Sequence, residues 1–430
     1  MMAQDAPPLA ATAGAGAPPA GRPVARRQAA LAFIVITIII DMLAMGVTAP
    51  ILPTLIQQMS GDKALGGIMN GVFVAVFALM QFLFSPVLGG LSDRYGRRPV
   101  LIFSIAGLGL NYIVMALAPN LAWLLIARVL TGVTSANMST AAAYIADVTP
   151  AERRASAFGL MSGAFSIGFI LGPALGGLAG AIDPRAPFWV AAGLSLLNAI
   201  YGWFVLPESL THERRARFSW RRANSIGSLR LLASHPELLI LAAINLLTQF
   251  AGAVYPTCFV IYAVQRYGWT ANTMGLSLAG FGLSSGIVQW TLTGRAARWF
   301  GEHKSIVIGL VFGTIGMATF GLASSPILFA LAIPVMTLSG VAQPATQALM
   351  TRRVAPSEQG QLQGANTSLQ SLAQVGAPLL FGAIYTLVLP LGSKPLLGAP
   401  FLLASLVMLT AVGLAWWAFM RPGRAPEPAY

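Results

Sequence analysis

The chain has 430 residues, of which 56% are hydrophobic and only 9% charged, with 26 Lys and Arg against 13 Asp and Glu. Soluble domains carry about 25% charged residues, so a water-facing globule is excluded. The net charge of +13 does not mark a nucleic-acid binder either, because the basic residues punctuate apolar stretches of about 20 residues, the length that crosses a bilayer.

Residues 1–28 are rich in Ala, Pro and Gly, end in Arg22, Arg26 and Arg27, and read as a disordered tail that cannot bury a core. Apolar segments follow at roughly 30–53, 66–90, 99–118, 121–146, 156–180 and 187–206. After a basic connector at 207–237 they resume at roughly 238–264, 273–293, 305–323, 326–350, 360–389 and 397–420, leaving a short tail at 421–430. The expected fold is all-α: twelve transmembrane helices in two six-helix bundles, 29–206 and 238–420. The single cysteine, Cys258, excludes a disulfide framework, and His212, His235 and His303 all fall in connecting segments. Neither a metal nor a cofactor is expected. A G-x-S-x-G occurs at Gly282-Leu-Ser-Ser-Gly286, but inside an apolar span and not at a strand-to-helix turn, and no H-E-x-x-H or P-loop is present, so the chain does not read as an enzyme.

Charge sorts by loop. With the amino terminus inside, 21 of the 26 basic residues fall in the two tails and in the loops at 91–99, 147–155, 207–237, 294–304 and 351–359. The opposite loops hold four, Lys63, Arg185, Arg266 and Lys394, and one more, Arg128, lies inside a span. By the positive-inside rule both termini are cytoplasmic. The connector, with six arginines next to a span, is expected to meet anionic lipid headgroups.

The halves repeat. Gly89-x3-Asp93-Arg94-x-Gly96 lies over Gly294-x3-Arg298-Trp299-x-Gly301, and Gly172-Pro173 over Ala377-Pro378, both at an offset of 205. Pro150-x-Glu152 lies over Pro356-x-Glu358 at 206. Two bundles repeated in the same orientation are the parallel arrangement of major facilitator transporters, with a site between the halves near the midplane.

The motifs themselves carry a resemblance. Gly89-Gly-Leu-Ser-Asp-Arg-Tyr-Gly-Arg-Arg98 resembles the signature loop of the major facilitator superfamily. Gly168-Phe-Ile-Leu-Gly172-Pro173-Ala-Leu-Gly176-Gly177 resembles the span-5 motif of its drug–proton antiporters, and Arg128-Val-Leu-Thr-Gly132 its span-4 motif. Phe77-Ala-Leu-Met-Gln81, Gly275-Leu-Ser-Leu-Ala-Gly280, Gln361-Leu-Gln-Gly364, and Asp41 followed by Met45-Gly46 and Pro50-Ile-Leu-Pro53 are similar to the tetracycline exporters. The resemblance implies secondary active export in exchange for protons, in a bacterial inner membrane. It also implies an acid in span 3, where this chain has Asn111, another in span 9 near Thr314, and a histidine in span 8, where Ser285 stands. Those departures separate the question of tetracycline itself from that of export.

Candidate residues follow from polarity at depth. Asp41 is the one acid near the middle of a span, roughly 18 Å from either end at 1.5 Å per residue. Arg128 enters from the outer side to about 10 Å. Together they read as a proton carrier with its modulating cation, or as a permanent ion pair that fixes packing; Arg128 alone could instead snorkel outward. Gly89, Asp93, Arg94 and Arg97 read as a gating loop, Asp93 being favoured at a helix start by the dipole; the resemblance implies a latch on the inner side. Gly172 and Pro173 read as plain helix packing or as a kinked contact between halves. In span 11, Gln363, Asn366, Gln370 and Gln374 are spaced 3, 4 and 4 and share one helix face. With Gln343, Gln347 and Gln289 from the second half and Gln81 and Asn111 from the first, they read as a polar cavity or as helix–helix hydrogen bonds. Substrate contacts are expected at Gln81, Asn111, Gln289, Gln343, Gln347, Asn366 and Gln370. The expected activity is alternating-access export of a small, drug-like amphiphile in exchange for protons, by a monomer. A uniporter or importer of a polar metabolite on the same fold is the alternative.

Overall fold

Among the described residues of the computed structural model, every regular element is helical. These residues are 24–134, 137–149, 154–210, 215, 235, 238–354, 359–391 and 393–419. Nearly all of the expected amino-terminal tail, most of the 207–237 connector and the 421–430 tail lie outside them. The first half comprises α1 (Val24–Thr48), α2 (Leu52–Ser60), α3 (Lys63–Tyr95), α4 (Arg97–Leu117), α5 (Leu121–Thr134), α6 (Asn137–Val148), α7 (Arg154–Ile182) and α8 (Ala186–Val205). The second comprises α9 (Leu239–Gly252), α10 (Val254–Tyr267), α11 (Ala271–Ile287), α12 (Thr293–Leu322), α13 (Pro326–Thr337), α14 (Ala342–Arg352), α15 (Gln359–Val388) and α16 (Ala399–Phe419).

Among the described residues, eleven runs of helix are long and apolar enough to cross a membrane. Large apolar side chains such as Phe103, Leu110, Leu197, Phe204, Leu331 and Leu406 point outward and exposed, which lipid tolerates and water does not. The chain is a multi-pass membrane protein. One run, Ala271–Leu322, is 52 residues long, roughly 78 Å at 1.5 Å per residue and over twice the apolar core of a bilayer. The run breaks at Gly301, whose φ of 75° and ψ of 166° leave helical geometry.

Several expected spans are internally interrupted. The span expected at 273–293 passes into a π-helical turn, Val288–Leu292. Thr291 Oγ1 donates to the Ile287 carbonyl at 2.6 Å and Thr293 Oγ1 to the Val288 carbonyl at 3.4 Å. Such back-bonding hydroxyls compete with the helical ladder. The span expected at 326–350 contains a 3-10 turn, Leu338–Val341, one turn beyond Pro334, which cannot donate to the ladder.

Four glycines among the described residues have positive φ: Gly61 (71°), Gly96 (113°), Gly268 (66°) and Gly301 (75°). They form two pairs, Gly61 with Gly268 at an offset of 207 and Gly96 with Gly301 at 205. Each pair places the one residue type that adopts this backbone without strain at the same turn of either half. The backbone thus repeats at nearly the spacing of the sequence motifs.

The second half is built around an aromatic cluster. Phe259, Tyr262, Phe320, Phe329 and Phe401 are all fully buried, with centroid separations such as 4.8 Å for Phe320 and Phe329 and 5.1 Å for Tyr262 and Phe401. The first half is held by two smaller apolar clusters, one around Phe73, Tyr112 and Phe188 and one around Ile34, Tyr144 and Ile145.

Candidate functional site

Two helix crossings dominate the seam between halves: α3 meets α15, and α7 meets α11, with α10 also touching α2 and α3. Both crossings use glycine against a proline turn. A Cβ at Gly275 would strike the Pro173 carbonyl, and one at Gly177 would lie 2.6 Å from the Ala271 carbonyl and 3.0 Å from Gly275 Cα. The second crossing repeats the first: a Cβ at Gly71 would strike the Pro378 carbonyl, and one at Gly382 would lie 2.9 Å from the Gly67 carbonyl. Polar contacts close the same end. Asn70, buried in α3, donates from Nδ2 to the Thr257 carbonyl of the other half, and Gln265 Nε2 donates to Gln57 Oε1 at 3.5 Å.

Toward the opposite, basic end the glycine packing of these helices is looser. Added Cβ atoms at Gly89 (α3), Gly159 (α7) and Gly286 (α11) would meet nothing within 4 Å among the described residues. Gly163 and Trp290 still approach, at 3.6 Å. Among the described residues, three ion pairs at that end lie within one half: Arg97 with Asp93 at 2.5 Å and with Asp147 at 3.2 Å, and Arg352 with Glu302 at 2.9 Å.

The span-5 glycines therefore serve two partners. Gly168, Gly172 and Gly176, spaced by four, lie against α1; a Cβ at Gly172 would fall 2.7 Å from Gly46 Cα. The Pro173 carbonyl and Gly177, one position on, face α11 of the other half, while the Pro173 ring stays against Gly46 of α1. One helix face packs within the first half and the adjacent face makes the seam.

Asp41 is 6% exposed, in the wall of the first half. It acts electrostatically on Tyr112 of α4, and so does Arg128. Arg128 does not snorkel outward. Its Nε donates to the Phe73 carbonyl at 3.2 Å and its guanidinium carbon lies 4.4 Å from the Phe77 ring centroid, both on α3. Aromatic faces and carbonyls are the partners that stabilise a guanidinium away from water. Tyr112 was not legible as part of this group, because in Asn111-Tyr-Ile-Val-Met115 it reads as one more apolar residue with a polar tip.

In the second half a polar cavity of about 120 Å³ opens between α9, α14 and α15. Gln343, Gln347, Gln363, Asn366 and Gln370 line it, so the amide stripe faces a common space. Asn245 and Gln249 of α9 and the hydroxyls of Thr346 and Thr367 complete the lining. The amides also bond one another: Asn245 Nδ2 donates to Asn366 Oδ1 at 3.3 Å, and Asn366 Nδ2 to Gln347 Oε1 at 2.9 Å. Among the described residues no charged group lines the cavity, and amides both donate and accept, so it suits an uncharged hydrogen-bonding surface.

A family profile described as Major Facilitator Superfamily matches residues 34–378, and a second match spans 242–429. The chain belongs to the Major Facilitator Superfamily. Among its relatives, the tetracycline resistance protein, class C, of Escherichia coli is 40% identical, covering 83% of this chain and 89% of the relative. The class G protein of Vibrio anguillarum is 37% identical over 84% of this chain and 91% of its own length. The solved nucleoside transporter NupG superposes with a TM-score of 0.76 over 91% of this chain and 99% of its own, at 12% identity, a likeness of fold.

The remaining candidates of this major facilitator protein are dispersed. Asn111 is 3% exposed and donates from Nδ2 to Thr131 Oγ1 at 2.5 Å, joining α4 to α5 away from the amide cavity. Gln81 is half-buried on α3 beside Gly132, and Gln289 is exposed on the π-helical turn. Asp93 is not at a helix start: it lies in the last turn of α3, where the dipole disfavours an anion, and Arg97 supplies the compensating charge. The carboxylate at the start of α4 belongs to Glu208, which accepts from the backbone N–H of Arg97 at 2.9 Å and Arg98 at 3.3 Å. A Cβ added at Gly89 would meet nothing within 4 Å among the described residues. Arg94 stacks over Tyr95, 5.1 Å from the ring centroid.

Proposed function

We propose that the protein is a proton-coupled exporter of uncharged-faced, drug-like amphiphiles, of the class that includes tetracycline, working by alternating access as a monomer in the bacterial inner membrane. The tetracycline-resistance names of its relatives support the export reading. In this reading twelve spans form two six-helix bundles with both termini cytoplasmic. The break at Gly301 divides the longest helical run into two spans. The basic end is the cytoplasmic one and the connector rests on anionic headgroups. Tight glycine crossings at the far end and looser packing at the basic end correspond to a state opening toward the cytoplasm.

The observation that carries the reading is the division of labour between halves. A buried acid with its tyrosine and arginine lies in one half, and an uncharged amide cavity lies in the other. Substrate enters the amide cavity from the cytoplasm, and a proton reaching Asp41 from outside favours release and return. One charge crossing 100 mV is worth about 2.3 kcal/mol, so a single proton per cycle supports a useful gradient. The test is substrate-driven proton movement in proteoliposomes, with tetracycline as the first substrate. Wild-type protein should move protons when tetracycline is added and Asp41→Asn should not. Equal proton movement in both would remove Asp41 from the mechanism, and tetracycline transport indifferent to a pH gradient would favour a uniporter.

A further inference from the structure

A second cavity lies in the seam itself, at the end opposite the basic one. It measures about 180 Å³ and shares no lining residue with the amide cavity. Both halves build it: Ile51, Thr54 and Leu55 from the start of α2, and Val264, Trp269 and Met274 from α10, the turn after it and α11. Each wall arises at a helix break. α1 stops at Thr48 and the chain restarts as α2 at Leu52, with Pro53 in its first turn. Opposite, Gly268 ends α10 with a φ of 66°, which turns the chain back. Trp269 thereby returns onto the buried aromatic cluster, its ring centroid 5.5 Å from that of Phe329 and 6.4 Å from that of Phe259. The indole is thus a braced wall.

The lining defines the occupant. Among the described residues no charged group lines the cavity, and aliphatic, indole and thioether surfaces predominate. Apolar cavities of about 150 Å³ hold one benzene ring, so this one takes a single ring or a compact fused pair. A flat ring packs well on an indole and beside a thioether. We infer that this cavity is a binding site for a neutral aromatic of one or two fused rings, and that its occupant holds the halves together at this end. Neither half contains the whole site, so only the joined seam binds, and a ligand shifts the population toward the state that binds it. Under the alternating-access reading, on which this last step rests, the occupant slows turnover without competing for the amide cavity.

The probe is 6-fluoro-2-naphthol, followed by fluorine NMR on the purified full chain. Spin labels at positions 57 and 265, next in sequence to the lining residues Gln58 and Val264, report the seam. Wild-type protein should bind the probe, and binding should lower the population of long distances several-fold. Thr54→Phe and Val264→Phe fill the cavity from opposite halves, at half-buried positions, and each should weaken binding about tenfold or more. On wild-type protein alone, the three-ring 9-phenanthrol should compete about tenfold less well than 2-naphthol. Equal binding by the wild type and both filled variants would mean partition into detergent only and overturn the site, as would 9-phenanthrol competing as well as 2-naphthol. Binding that leaves the distances unchanged would overturn the holding of the halves. In everted vesicles the probe should slow tetracycline transport. If it shifts the distances but the vesicles transport no tetracycline even without it, the site stands and the export reading falls.

Discussion

Gly275 of the second half and Pro173 of the first are in backbone contact, close enough that a Cβ on Gly275 would strike the Pro173 carbonyl. Gly71 and Pro378 repeat the contact with the halves exchanged, the prolines 205 residues apart and the glycines 204. The end where the halves meet is thus clamped by two equivalent crossings, each dependent on the absence of one methyl group. Overpacking of this kind costs about 1–3 kcal/mol.

Gly275→Ala and Gly71→Ala should therefore shift the protein toward conformations in which this end is parted. Spin labels at positions 57 and 265, whose native glutamines bond across the seam at 3.5 Å, report the change directly. The sole native cysteine, Cys258, is buried and reacts poorly with label. Each alanine should raise the population of long distances several-fold, and the pair should exceed either alone. A distance distribution identical to that of the unsubstituted chain would mean that the seam relaxes around the methyl groups and does not set the equilibrium.

Asp41 and Arg128 both act on Tyr112, which is 3% exposed. Tyr112→Phe removes the hydroxyl on which Asp41 and Arg128 act while keeping the ring that fills the core. If Tyr112 orients the acid, pH-driven tetracycline transport in everted vesicles should shift its midpoint pH while substrate affinity stays within about twofold. Loss of the hydroxyl should cost only about 0.5–1.5 kcal/mol of stability. An unchanged pH profile would reduce Tyr112 to packing.

Glu208 and Asp93 separate stability from conformation at the basic end. Glu208 accepts from the backbone of Arg97, Arg98 and Leu210, satisfying the otherwise uncapped start of α4. Asp93 is half-exposed and paired with Arg97, an arrangement of small net value. In thermal unfolding, Glu208→Ala should cost about 1–2 kcal/mol and Asp93→Asn less than about 1 kcal/mol. The reverse order would show that the Asp93–Arg97–Asp147 group, not the backbone cap, anchors the α3–α4 turn.

The reach of the sequence follows the range of the interactions. Spans, turns at Gly96 and Gly301, and the amide stripe at 363, 366 and 370 are set by local periodicity and by backbone geometry that glycine alone adopts without strain, so they are legible. The partners across space are not. Asn245 and Gln249 look incidental in the apolar run Leu239–Gly252, yet α9 supplies an amide bonded to Asn366. Glu208 caps a helix 111 residues upstream, and Asn70 and Asn111, both buried, have unrelated tasks that only the facing helix defines. The span-5 glycines left packing and seam as alternatives; the structure assigns each to a different face of one helix.

Asn111 is where helix packing and substrate contact make opposite demands. Its Nδ2 donates to Thr131 Oγ1, and that hydroxyl in turn donates to the Ala127 carbonyl at 2.8 Å. The hydroxyl proton is already committed, so the site requires a donor at 111. Asn111→Asp sets a buried acceptor against an acceptor and should destabilise the fold by about 1–3 kcal/mol. Combined with Thr131→Val in a double-mutant cycle, the two substitutions should be coupled by about 1 kcal/mol, because they share one bond. If Asn111 joins α4 to α5, Asn111→Ala should lower the unfolding temperature while the tetracycline Kd of the folded fraction stays within about twofold. A tenfold loss of affinity with unchanged stability would instead make Asn111 a substrate ligand and require the cargo to span both halves.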